Sequence, residues 1–79
     1  MTLEGKKLAV GAKAAKKALA AGRAEFLYLA SDASESVVAP LRSSAAESGV
    51  PLDEEHTMRE LGRAAGIEIG AGAVTVLKE

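Results

Sequence analysis

Seventy-nine residues, 48% apolar and 27% charged, are enough to enclose one hydrophobic core, and that balance argues against both a disordered chain and a second domain. There is no cysteine, which removes disulfides, thiolate zinc sites and cysteine nucleophiles. The net charge of −1 hides an asymmetry: residues 1 to 23 carry six basic side chains against one acidic, and the remainder four against ten, so one end can steer a polyanion while the rest repels it.

Met1 to Val10 contains Lys6 and Lys7 and reaches Lys13 before any apolar stretch of signal-peptide length develops, so a cytoplasmic location is expected. The longest apolar stretches, Phe26 to Ala30 and Ala71 to Leu77, fall far short of the roughly 20 residues that cross a bilayer. Lys7 to Val10 reads as a short strand ended by Gly11. From Ala12 to Ala21 the pattern is helical, with Ala14, Ala15, Ala18 and Leu19 on one face and Gly22 as the stop.

Phe26 to Ala30 is a continuous apolar run, as expected of a central strand buried on both faces. Phe26 and Tyr28 therefore read as core. Asp32 to Ser36 reads as a loop, and Pro40 fits the first turn of a helix that runs to about Ser48, with Leu41 and Ala45 inward and Gly49 as its stop. Val50 to Glu55 is a weak strand. Thr57 and Glu60 form a T-x-x-E capping box opening a helix that Gly66 closes, with Leu61, Ala64 and Ala65 inward. Ala73 to Leu77, β-branched and apolar, is the last strand.

The sum is β-α-β-α-β-α-β in a single domain over residues 1–79, an α/β fold whose sheet carries helices on both faces. Alternation alone also fits a miniature doubly wound fold. The glycines from Gly66 to Gly72 follow neither a dinucleotide fingerprint nor a phosphate-binding loop, which excludes nucleotide binding by either motif. Asp53, Glu54, Glu55 and His56 are adjacent, but in an extended segment neighbours point to opposite faces, leaving too few converging ligands for a metal. An acidic strand edge that resists aggregation is the simpler reading. His56, the single histidine, has no second base or nucleophile placed beside it, so neither catalysis nor a cofactor is expected.

The stretch Val10 to Leu19 (VGAKAAKKAL) resembles the G-x-[NK]-x-x-x-K-[AS]-[LIV] signature of the kink-turn-binding ribosomal protein superfamily, the L-seven-Ae and L-thirty-e type. Leu27 to Asp32 resembles that family's second strand with its trailing Asp, and Thr57 to Ile69 its last helix and recognition loop. The L-G-[KR]-A-x-G-[IL]-E block at Leu61 to Glu68 is the more specific part. Lys13-Ala14 stands where archaeal members have Asn-Glu, which is similar to the small bacterial YbxF-type members.

The resemblance implies a three-layer α/β/α sandwich on a small four-stranded mixed sheet, acting as a monomer on structured RNA, ribosomal or regulatory. Its ligand would be the kink-turn, an internal loop bent sharply beside tandem sheared G·A pairs. Gly11 would allow close backbone approach, and the free N–H groups opening the next helix favour a phosphate. Lys13, Lys16 and Lys17, at i, i+3 and i+4, share one helical face. Lys13 and Lys17 can also bond guanine O6 and N7. Ile67, Glu68, Ile69 and Gly70 correspond to a second contact that covers a splayed nucleotide, and Arg63 would help hold the backbone. The alternative is a protein-interaction module on the same fold that has lost specific RNA binding, as the loss of the carboxylate at Ala14 suggests.

Overall fold

A computed structural model describes residues 2–79, so Met1, the first residue of the expected single domain, lies outside the described residues. The elements are β1 (Leu8–Val10), α1 (Ala12–Ala20), β2 (Ala24–Leu29), α2 (Glu35–Ser48), β3 (Leu52–Asp53), α3 (Met58–Ala64) and β4 (Ala73–Leu77). Order and type agree with the sequence reading throughout. The four strands form one mixed sheet in the order β1-β4-β2-β3, with β4 antiparallel to both neighbours and β2 parallel to β3.

Each helix stays where its apolar face can be buried, because a helix this short gains most of its stability from packing. Ala15, Ala18 and Leu19 of α1 join Val38, Leu41 and Ala45 of α2 over Leu27, Leu29 and Ala73 of the sheet. Leu61 and Ala64 of α3, with Leu3, cover Val74 and Val76 on the opposite face. The result is three layers, with α1 and α2 on one side and α3 on the other. Leu3, for which the sequence suggested no role, is only 4% exposed, and its backbone N–H donates to Ala64 O at 3.1 Å.

Three expectations need correcting. β2 starts at Ala24, two residues earlier than expected, and its faces are unequally buried: Leu27 and Leu29 are fully covered, whereas Phe26 and Tyr28 are half-buried against the α3 side. A bulge between Ala24 and Phe26 leaves Glu25 outward and keeps Ala24 on the same face as Leu27. α2 begins at Glu35, not near Pro40, so Pro40 lies inside the helix and not in its first turn. The carbonyl of Ser34 accepts from the N–H groups of Val37 and Val38, and burial of Val38 holds those early turns. Pro40 costs α2 one backbone bond, and both Pro40 and the freed position at Ser36 are exposed to water. β3 is two residues long, not six, because only Leu52 and Asp53 pair with Leu27 and Tyr28.

Candidate nucleic-acid interface

The strand order determines what comes together. β1, β2 and β3 run in one direction and β4 in the other, so the ends of the first three and the start of the fourth lie at one end of the sheet. That end therefore carries the start of α1, the turn from Ala30 to Ser34, the start of α3 and the loop entering β4. Backbone bonds tie them together: Gly11 N donates to Ala73 O at 2.8 Å, Ala30 N to Gly72 O at 2.9 Å, and Ser31 N to His56 O at 2.8 Å.

Gly11 caps α1 with φ 103° and ψ 160°, a combination open in practice only to glycine, and makes no side-chain cap. Ala12, Lys13 and Ala14 begin the helix with the N–H groups that no intrahelical carbonyl can satisfy. The first turn has no acidic residue to offset that positive end; it has Lys13 instead. Lys13, Lys16 and Lys17 are all exposed, and none is in an ion pair among the described residues. Ala14, expected inward, is only half-buried and borders a groove beside β1.

The second group lies on α3 and the loop after it. Thr57 caps α3 with both halves of the capping box: its hydroxyl accepts from Glu60 N at 3.2 Å, and Thr57 N donates to Glu60 Oε1 at 2.9 Å. The Thr57 N–H holds the Glu60 carboxyl below its usual range. Asp32 adds a third restraint by accepting from Met58 N at 2.8 Å. The helix in turn holds the loop, with Ile67 N donating to Gly62 O and Ala71 N to Met58 O, both at 3.0 Å.

Arg63, Ile67, Glu68, Ile69 and Gly70 line an open groove of about 570 Å³ together with Asp32, Met58 and Arg59. Ile69 is 75% exposed, an apolar side chain standing free at the rim. All nine expected site residues thus fall in two groups, Gly11 with Lys13, Lys16 and Lys17, and Arg63 with Ile67 to Gly70. The bond from Gly11 to Ala73 joins the start of α1 to the strand that the loop enters.

Two residues went unread as site residues. Gly62 is buried, and a Cβ there would collide with the carbonyl of Ile69, so only glycine lets the loop lie this close to α3. Arg59 is exposed and lines the groove one helical turn from Arg63. The L-G-R-A block was visible in the sequence, but the contact from position 62 to 69 is tertiary. The charge asymmetry also resolves differently than expected: Lys6, Lys7 and Arg23 flank the opposite end of the sheet, and only part of the basic segment faces the loop end.

Elsewhere, Asp53, Glu54, Glu55 and His56 do not converge, and no group of three metal-ligating side chains exists among the described residues. Glu54 instead pairs with Arg42 at 2.7 Å, and Arg42 also reaches Glu35 at 3.1 Å. The guanidinium bond lowers the Glu54 carboxyl below its ordinary value and raises the arginine. His56 Nδ1 lies 3.9 Å from Glu60 Oε2. No helix among the described residues is long and apolar enough to cross a membrane.

Known proteins are similar to this chain in sequence and in fold. An RNA-binding protein, YbxF, of Geobacillus stearothermophilus is 33% identical over 76 residues, which cover 96% of this chain and 93% of that one. Large ribosomal subunit protein eL8 of Halobacterium salinarum is 38% identical over 68 residues, covering 85% of this chain and 57% of its own. A 15.5 kD RNA-binding protein of Giardia lamblia has the same fold, with a TM-score of 0.85 at 27% identity, over 91% of this chain and 61% of that one. These names are those of RNA-binding and ribosomal proteins, not of enzymes. The model of one family matches residues 1–79, so the chain belongs to the ribosomal protein L7Ae/L30e/S12e/Gadd45 family.

Proposed function

We propose that this protein binds RNA and that its ligand is the kink-turn, whose bent form it stabilises over the extended one. The observation that carries the reading is the joint placement of a lysine-bearing helix start and an exposed apolar loop at one end of the sheet. A lysine in the first turn opposes the helix dipole, which ordinarily favours acidic residues there by about 0.3–1 kcal/mol. That local conflict is the kind a functional site sustains, and a phosphate at the start of α1 would resolve it.

In this reading the N–H groups of Ala12 and Lys13 meet a phosphate beside the G·A pairs, and Gly11 leaves room for the backbone to approach. Lys13 and Lys17 reach purine edges or phosphates, and Lys16 contributes charge. Ile69 covers the splayed nucleotide, Ile67, Glu68 and Gly70 hold it in place, and Arg63 grips the backbone beside the loop. A protein that makes more contacts with the bent RNA than with the extended one shifts the RNA toward the bend by that difference in affinity. The protein acts as a cytoplasmic monomer on ribosomal or regulatory RNA.

The test is a titration of kink-turn RNA and of a straight duplex of equal length, with the wild type and a Lys13→Ala, Lys17→Ala double variant. The wild type is expected to prefer the kink-turn, and the double variant to lose at least tenfold in affinity, since hydrogen bonds to charged groups contribute about 1.5–3 kcal/mol each. Equal affinity of the wild type for both RNAs would leave the fold as a protein-interaction module without specific RNA binding.

A further inference from the structure

A second, smaller groove of about 220 Å³ runs between α1 and the edge strand β1. Its floor is Ala9, Ala14, Ala18, Ala21 and Leu77, and its charged lining is Lys17 and Arg23. No carboxylate lines it. The far end of the sheet is different: Lys6, Lys7 and Lys78 share a hollow with Glu25 and Glu79, so their charge is locally offset. Neither Lys17 nor Arg23 is in an ion pair among the described residues.

The groove continues the lysine face of α1. Lys13 and Lys17 lie one helical turn apart, about 6 Å along the axis, and Arg23 follows beyond the turn that ends the helix. The Arg23 carbonyl accepts from Lys78 N at 2.8 Å, which fixes its backbone to the end of β4. Two unpaired cations in a groove that no carboxylate lines, beside a shallow floor of small side chains, suit a sugar–phosphate strand, which is anionic at regular intervals and needs no deep pocket. An aliphatic peptide would need a deeper anchor point than alanines provide.

We propose that the α1–β1 groove is a second backbone-binding track, in which Arg23 and Lys17 hold the phosphates of a helical stem that flanks the kink. Resting on the kink-turn reading, the proposal extends the interface from the loop end of the molecule along its β1 edge. Arg23 is its distinguishing residue, because it lies outside the segments that the family signature covers.

The experiment uses two kink-turn RNAs that differ only in stem length, one with the flanking stem intact and one with it cut back to the base pairs next to the kink. Binding is measured across a salt series for the wild type, Arg23→Ala and Lys78→Ala. Each phosphate contact in a duplex contributes about 0.9 to the slope of log affinity against log salt. Arg23→Ala is expected to weaken binding to the long-stem RNA about three- to tenfold and flatten its slope by about one contact, while leaving the short-stem RNA unaffected. Lys78→Ala is expected to change neither. Wild-type-like binding of the long-stem RNA by Arg23→Ala would overturn the track and leave the kink-turn reading standing. An equal loss on both RNAs at unchanged slope would mark Arg23 as structural and also overturn it. Failure of the wild type to prefer either kink-turn over straight duplex would remove the kink-turn reading itself and the track with it. In a parallel NMR titration, shifts of the Ala9, Ala18 and Leu77 amides with the long-stem RNA support the track. Shifts only with an acidic, leucine-containing peptide would make the groove a protein-docking surface.

Discussion

At position 62 a single hydrogen in place of a methyl group decides where the loop after α3 can lie. The Ile69 carbonyl occupies the space a Cβ would need, and Ile67 N bonds to the carbonyl of the same glycine. Gly62→Ala must push a backbone group aside rather than a flexible side-chain end. Overpacking of this kind costs roughly 1–3 kcal/mol. We expect a lower thermal midpoint together with weaker RNA binding measured well below that midpoint, because Ile69 moves with the loop. A lowered midpoint with unchanged RNA affinity would mean the loop is not the second contact. From sequence, Gly62 was legible as part of a motif but not as a loop-positioning residue, since nothing local links positions 62 and 69. The lysine face was easier to read, because i, i+3 and i+4 spacing fixes it within one helix.

Among the elements, those with strong local signals matched most closely. Thr57 and Glu60 placed the start of α3, and Gly22, Gly49 and Gly66 placed the stops, each with positive φ. The start of α2 was hidden, because Val37 and Val38 are β-branched and Pro40 reads as a beginning. Tertiary contacts decide it, including an Arg42 that spans from Glu35 in the first turn to Glu54 just beyond β3. What reads as an acidic strand edge is in part the anchor of that clamp. The lowered Glu54 carboxyl gives it a pH signature. In the unfolded chain Glu54 titrates near 4.5, and in the folded chain it titrates lower because Arg42 holds it ionised. Its contribution is complete above about pH 4.5 and disappears as the pH falls through the lowered folded value. Glu60 acts in the same direction through the Thr57 cap. Thermal melts from pH 7 to pH 3 should therefore show stability falling on acidification, and less steeply in Glu54→Gln. Parallel pH profiles for the two proteins would show that the clamp contributes nothing.

For the whole molecule, the informative quantity is strand order, which no local pattern encodes. The alternation of strands and helices was legible, yet it left a doubly wound sheet open. β4 lies between β1 and β2 and runs antiparallel to both, which brings its entry loop to the end of the sheet where α1 begins. A fully parallel sheet would send that loop to the other end, away from Gly11. The net charge was equally misleading when taken as one number, because the basic residues divide between the start of α1, its flank and the far end of the sheet.

We propose that two separated segments, joined by this topology, recognise the bent shape of an RNA. The most direct measurement is fluorescence energy transfer between the two stem ends of a labelled kink-turn RNA, in metal-free buffer where the RNA begins extended. Transfer is expected to rise with added protein. A much smaller rise is expected when the tandem G·A pairs are replaced by Watson–Crick pairs, and no rise in the Lys13→Ala, Lys17→Ala variant. Binding without any rise in transfer, or an equal rise with the Watson–Crick RNA, would show that the protein does not recognise the bend.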